Sequence, residues 1–125
     1  VEVLSSDPNS GFQFHSAIDD NAIRKCIAQS RATIYISSAE GYGLPPVESL
    51  WCGTPVIAST TIPSLTRLGS AGIHYVEPLT VVNLRRAVLA FVDNAYANGK
   101  AEETAQLDLP TWRSFTQEVL DWCGE

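Results

Sequence analysis

With 125 residues, of which 45% are hydrophobic, the chain has enough apolar material for one compact domain, residues 1–125. Eight basic against fourteen acidic residues give a net charge of −6. Since no basic patch is visible either, nucleic acid and anionic membrane surfaces are not expected partners. No apolar stretch approaches the ~20 residues of a membrane-spanning helix, so the segment is not expected to insert into a membrane.

The three cysteines, Cys26, Cys52 and Cys123, are far apart and lack CxxC spacing. Their small number and wide spacing predict reduced, mostly buried thiols of a cytoplasmic protein, with no metal or catalytic role. Because no methionine occurs, even at position 1, the chain is interpreted as a piece of a longer polypeptide, with removal of an initiator methionine as the alternative.

The first third of the chain predicts a strand, a turn, a second strand and a helix. The strands are residues 1–6 (VEVLSS) and Phe12–Ser16, and turn-forming residues lie between them. Asp19 or Asp20 can cap the helix, and its apolar face is predicted to contain Ile23, Cys26 and Ile27. His15, which closes the second strand, is interpreted as structural, although contact with a ligand stays open.

The middle of the chain predicts a strand, a glycine-containing loop, a helix and another strand. Residues 32–37 (ATIYIS) are apolar and β-branched, as in a buried parallel strand, and residues 38–44 form the loop that follows. The pair Pro45–Pro46 suits the first turn of a helix, and Gly53 can end that helix. The next strand is residues 54–59.

The loop and helix start have the chemistry of a sugar-phosphate site. A helix start at the carboxyl end of a strand offers unpaired amides to an anion, and Gly41 and Gly43 let a ligand approach the backbone. Glu40 and Glu48 could accept hydrogen bonds from vicinal hydroxyls, so the pattern favours a nucleotide sugar. In the alternative interpretation, the glycines only form a turn and the carboxylates only complement the helix dipole.

Residues 40–59, EGYGLPPVESLWCGTPVIAS, contain two glutamates separated by seven residues. This string resembles the donor-site signature of retaining GT-B glycosyltransferases of family 4. The resemblance extends from about His15 to Asn94, and weakly to Trp112, so it covers most of the chain. It implies an α/β fold with a Rossmann-like, mainly parallel sheet and helices on both faces, the C-terminal half of a GT-B enzyme.

The resemblance also implies residue roles. Glu40 would contact the transferred hexosyl group and is the candidate catalytic residue, though not a nucleophile. Glu48 would hold the ribose. The amides that face the sugar and phosphates would belong to Gly41, Tyr42, Gly43 and Leu44. A side chain at Gly43 is expected to project into the donor space.

The resemblance further implies a nucleoside diphosphate sugar as substrate, with no cofactor and no metal ion. A glycan or lipid-linked acceptor would bind an N-terminal domain that this chain lacks, so the segment alone is expected to be inactive. The chain departs from the family pattern after Pro63, where Ser64 replaces a common glutamate. Arg67 is interpreted as a solvated surface residue.

The last third predicts a strand at residues 72–78, in which His74 is a packed or edge residue. A long helix should follow, capped by Thr80 and ended by Gly99. Residues 100–109 are polar and predicted to be mobile, and residues 101–106 (AEETAQ) form a short helical turn or a linker. The apolar stripe predicted to lie in the core is Val81, Leu84, Val88, Phe91, Val92 and Ala95. Residues 111–123 predict an amphipathic helix whose aromatic surface needs a partner.

Two other classes of function stay open on the sequence. A non-catalytic glycosyltransferase-like module would bind a nucleotide or a protein without transfer. A nucleotide-sugar epimerase of the related two-domain fold would form product without an acceptor.

Overall fold

The structure, a computed structural model, describes residues 11–124 and contains a three-stranded parallel sheet. Its strands are β1 (Thr33–Tyr35), β2 (Val56–Ser59) and β3 (Ile73–Val76), with β2 in the middle. The helices are α1 (Asp20–Ala28), α2 (Leu44–Trp51), α3 (Val81–Ala90), α4 (Asn94–Ala105) and α5 (Trp112–Cys123), and a 3-10 helix spans Pro63–Leu65.

Helices cover both faces of this sheet. Val56 and Ala58 of β2 pack in one buried cluster with Val47 and Leu50 of α2. Ile57, between them in sequence, points to the opposite face and packs in a second cluster with residues of α3 and α4. The predicted α/β, Rossmann-like architecture with a parallel sheet is therefore confirmed.

The residues before β1 differ from the prediction. The expected strand at residues 1–6 lies outside the described residues. The strand expected at Phe12–Ser16 is wrong, because residues 11–19 form neither helix nor strand and are exposed. Phe12 and Phe14 instead contact each other, with ring centroids 6.5 Å apart. Their alternation therefore reflects a local aromatic contact rather than a pleated strand.

Helix α1 begins where the sequence predicts but does not bury the predicted face. The Asp19 carboxylate accepts a hydrogen bond from the Ala22 amide at 2.8 Å, which caps the helix. No residue of α1 is buried, and both Ile23 and Cys26 are exposed. The predicted burial of the cysteines is wrong as well, since Cys123 is also exposed and Cys52 is only half-buried; all three thiols are free.

The single helix predicted from Thr80 to Gly99 is two helices. Thr80 caps α3 as expected, but Asp93 caps a new helix by accepting from the Tyr96 amide at 2.9 Å. Arg31 donates to the carbonyls of Phe91 and Val92, where α3 ends. The predicted burial of the apolar stripe is mostly wrong. Phe91 is its only buried member, and Leu84 is half-buried. The exposed members are Val81, Val88, Val92 and Ala95.

Of the two alternatives for residues 101–106, the helical one is confirmed and the linker is wrong, because the helix extends to Ala105. The first half of the polar segment at residues 100–109 belongs to α4, where Lys100 pairs with Glu103 at 2.7 Å and donates to the Ser70 carbonyl at 3.0 Å. Glu103 also accepts from the Gly72 amide at 3.0 Å. These polar contacts, which hydropathy cannot reveal, fasten α4 to the loop before β3.

Helix α5 forms as predicted and stands apart from the core. None of its residues is buried, and the side chains of Trp112 and Trp122 are 86% and 88% exposed. A capping box between Thr111 and Ser114 fixes its start. No helix within residues 11–124 is long and apolar enough to cross a membrane.

Candidate functional site

The loop between β1 and α2 lies at the carboxyl end of the sheet and turns on Gly43. This residue precedes the first residue of α2 and has φ of +83°, a left-handed conformation that glycine adopts without steric penalty. The helix begins at Leu44, one residue earlier than predicted, and the pair Pro45–Pro46 lies in its first turn. Gly53, with φ of +79°, follows the end of the helix as predicted.

In the described part of the chain, the start of α2 has unpaired backbone amides, in a segment where Gly41, Tyr42 and Leu44 are exposed and Gly43 is buried. Within residues 11–124, the amides of Gly41, Tyr42, Gly43 and Leu44 donate no hydrogen bond, and no side chain caps the helix. The first turn contains no acidic residue, and the two prolines have no amide hydrogen. The unpaired amides and the positive end of the helix dipole therefore remain available to an anion.

The expected direction of a side chain at Gly43 is wrong. A Cβ atom there would lie 2.5 Å from Cγ2 of Ile62 and 3.3 Å from Oγ of Ser64. Both neighbours are buried, so the side chain would project into the protein rather than into ligand space. Glycine at this position is required by packing and by its positive φ.

Ser64 holds the loop from the side facing the protein interior. Its amide donates to the Tyr42 carbonyl at 2.9 Å, and its hydroxyl donates to the Gly43 carbonyl at 2.6 Å. Both carbonyls therefore point away from the open amides. The sequence identified Ser64 only as a departure from the family pattern and did not predict this role.

Glu40 is exposed in the loop after β1, and a tyrosine holds its carboxylate. The Tyr35 hydroxyl donates to Oε2 of Glu40 at 2.8 Å. This hydrogen bond, with smaller contributions from burial and from the negative charge of Glu40, raises the pKa of Tyr35 above its ordinary value. Tyr35 was not among the predicted site residues, and the signal for it was a tyrosine in the strand five residues before the glutamate.

Hydroxyl groups connect the loops that follow β1 and β2. The Ser59 hydroxyl donates to the Ser37 carbonyl at 2.7 Å and accepts from the Ser37 amide at 3.1 Å. The Thr61 hydroxyl donates to the same carbonyl at 2.8 Å. The backbone that leads to Glu40 is therefore fixed to the neighbouring strand end.

Glu48 is exposed one turn into α2 and lines a cleft of about 770 Å³ between α1 and α2. Arg24 and Trp51 are among the other lining residues, and Glu40 is not. Within residues 11–124 the Glu48 carboxylate has no hydrogen-bond or ion-pair partner. It is therefore free to accept hydrogen bonds from a ligand.

The remaining polar candidates do not join this site. His74 is packed, as predicted, with Nδ1 2.5 Å from the Tyr96 hydroxyl and its ring against Phe91. Burial, followed by the charge of Lys100, holds the pKa of His74 below its ordinary value. Arg67 is exposed. Among the described residues, no group of three or more His, Cys, Asp or Glu could hold a metal ion.

Comparison with known proteins places this chain among glycosyltransferases. The family model "Glycosyl transferases group 1" matches residues 3–107. The chain is 34% identical over 80 residues to a putative glycosyltransferase, ORF378, of Acidianus filamentous virus 2 (isolate Italy/Pozzuoli), covering 64% of the chain and 21% of that protein. It is 28% identical over 108 residues to O-antigen chain mannosyltransferase B of Escherichia coli, covering 83% of the chain and 28% of that protein.

The chain thus spans about a fifth to a quarter of the length of these curated relatives. No solved structure matches it significantly. The family match includes the whole predicted signature at residues 40–59 and stops before α5. Because it covers most of the sequence, the chain belongs to the group 1 family of glycosyl transferases.

Proposed function

We propose that this chain is the donor-binding domain of a retaining hexosyltransferase. The enzyme transfers a hexosyl group from a nucleoside diphosphate sugar to a hydroxyl of a glycan or lipid-linked acceptor and keeps the anomeric configuration. The acceptor binds another domain of a longer protein. No metal ion or cofactor takes part.

The open start of α2 carries this proposal. Four consecutive amides that have no partner among residues 11–124 lie at the carboxyl end of a parallel sheet, where open α/β folds bind ligands. The helix dipole and these amides stabilise the negative charge that develops on the leaving diphosphate. In this site Gly41 to Leu44 bind the phosphates and the sugar through their backbone.

The two glutamates bind the donor on either side of the diphosphate. Glu40, in the loop, accepts hydrogen bonds from hydroxyls of the transferred sugar and orients its anomeric carbon. Glu48, which lies beside the cleft between α1 and α2 and has no side-chain partner in the described part of the chain, accepts from the ribose hydroxyls. Neither acts as a nucleophile.

A donor panel on the whole enzyme tests the proposal. UDP-, GDP- and ADP-sugars are titrated calorimetrically, and a mannosyl donor is included because one relative is named a mannosyltransferase. We expect one donor to bind and its hexosyl group to be transferred only when an acceptor is present. Proton NMR of the first product should show the anomeric configuration of the donor.

Each other outcome contradicts a distinct part of the proposal. Binding without transfer to any acceptor indicates a non-catalytic module, whereas product formed without an acceptor indicates an epimerase. An inverted anomeric configuration contradicts retention alone.

A further inference from the structure

We propose that Tyr35 is a positioning residue that orients the Glu40 carboxylate toward the transferred sugar. This inference rests on the proposed function of Glu40. It assigns Tyr35 a part in the transfer step and none in nucleotide binding.

The ring of Tyr35 packs against the core, and its hydroxyl binds Glu40. Tyr35 is the last residue of β1, and its half-buried ring packs against the core cluster that contains Val56 and Ala58. Its hydroxyl lies 2.8 Å from Oε2 of Glu40. A rigid aromatic ring fixed in the sheet therefore sets the position of that carboxylate oxygen.

The backbone between Tyr35 and Glu40 is also fixed, so the position of the carboxylate depends on the conformation of the Glu40 side chain. Ser59 and Thr61 bind the backbone of Ser37, and the Ser37 hydroxyl donates to the Ala39 carbonyl at 2.8 Å. With the loop held in this way, rotation of the Glu40 side chain is what would misplace the carboxylate. The Tyr35 hydroxyl limits that rotation.

The hydrogen bond leaves the carboxylate able to bind sugar. The tyrosine occupies Oε2, while Oε1 of Glu40 has no partner among the described residues. A sugar hydroxyl can donate to Oε1 without displacing the tyrosine. A carboxylate that is fixed before the donor binds loses less conformational entropy during the reaction. Removal of the Tyr35 hydroxyl should therefore slow transfer.

The test compares Tyr35→Phe with wild type in the whole enzyme. We expect kcat to fall roughly 3- to 10-fold, the range for the net contribution of a typical hydrogen bond, because this one is exposed to solvent. The affinity for the free nucleoside diphosphate should change less than about two-fold, because that ligand lacks the hexosyl group that Glu40 contacts. Wild type and Tyr35→Phe are both assayed at a temperature where their circular dichroism is native.

Tyr75→Phe is the matched control. Tyr75 lies on the same face of the sheet as Tyr35, since both pair in register with Ala58. Its hydroxyl donates to the carbonyls of Leu65 and Gly69, away from Glu40. We expect Tyr75→Phe to leave kcat unchanged while it lowers Tm.

A double mutant separates positioning from a general structural effect. If Tyr35 acts through Glu40, Tyr35→Phe should cause no further loss of kcat in a Glu40→Gln background. An unchanged kcat in Tyr35→Phe, or the same loss in both backgrounds, overturns this inference alone. A wild-type enzyme that binds no donor overturns the proposed function and this inference with it.

Discussion

Replacing Gly43 by alanine should strongly destabilise the fold, for two separable reasons. The residue has φ of +83°, where an L-residue costs about 1–2 kcal/mol. The new Cβ would also lie 2.5 Å from Cγ2 of Ile62, a side chain that is only 1% exposed and belongs to the core cluster around α2. Overpacking of this kind costs about 1–3 kcal/mol, so the sum is about 2–5 kcal/mol of unfolding free energy.

Gly53→Ala measures the backbone contribution by itself. Gly53 has nearly the same φ, +79°, but a Cβ there would meet nothing within 4 Å. Its expected cost is therefore only about 1–2 kcal/mol. Unfolding in urea, followed by circular dichroism, gives the free energy of unfolding for each variant.

A double-mutant cycle with Ile62→Ala isolates the steric contribution. Since Ile62→Ala removes Cγ2, Gly43→Ala should cost less in that background, with a coupling energy of about 1–3 kcal/mol. If Gly43→Ala and Gly53→Ala cost the same, and if the cycle shows no coupling, the contact with Ile62 does not exist. The side chain would then project toward the ligand, as the sequence alone suggested.

Three further predictions concern single side chains. Glu48→Ala should weaken binding of the nucleoside diphosphate by about 1.5–3 kcal/mol, the contribution of a hydrogen bond to a charged group. The fold should stay intact. Unchanged affinity in titration calorimetry contradicts the ribose role. Glu40→Gln should lower kcat more than nucleotide affinity, and an equal loss of both contradicts contact with the sugar. The lowered pKa of His74 means that the unfolded chain binds a proton more readily than the folded one. The free energy of unfolding should therefore decrease as pH falls below the ordinary histidine pKa of about 6.5, and His74→Gln should weaken this dependence in urea titrations at several pH values.

The parts of the fold that the sequence predicted well are those determined by local chemistry. The positions of β1, β2 and β3, the Asp19 and Thr80 caps and the left-handed Gly53 all depend on residues adjacent in the chain. The signature at residues 40–59 was recognisable for the same reason, because its strand, loop and helix are contiguous.

Most of the errors occur where distant residues contribute to the structure. The break between α3 and α4 has a local signal that the prediction missed, the Asp93 cap, and a distant contact from Arg31, sixty residues away, which donates to the carbonyl of Phe91. The attachment of α4 depends on Lys100 and on Glu103, whose carboxylate binds Gly72. Hydrophobic periodicity does not reveal these side-chain contacts, and it therefore predicted one long apolar helix followed by a short helical turn or a linker.

The same limitation explains what the sequence missed in the candidate site. Ser59, Thr61 and Ser64 each use a hydroxyl to hold a carbonyl of the loop that contains Glu40 and Gly43. Small hydroxyl side chains after a strand are ordinary turn formers, so their pattern does not indicate which backbone atom they bind. Only the parallel pairing of β1 with β2 brings the two loops together.

That arrangement has a consequence for donor binding. Because hydrogen bonds to the loop after β2 already fix the loop after β1, the amides of Gly41 to Leu44 lie in position before a ligand arrives. A preformed site loses little conformational entropy on binding and needs little reorganisation as charge develops on the leaving diphosphate. Ser59 and Ser64 therefore support the proposed transfer without contact with the substrate, and the left-handed Gly43 gives the chain the turn on which both the loop and α2 depend.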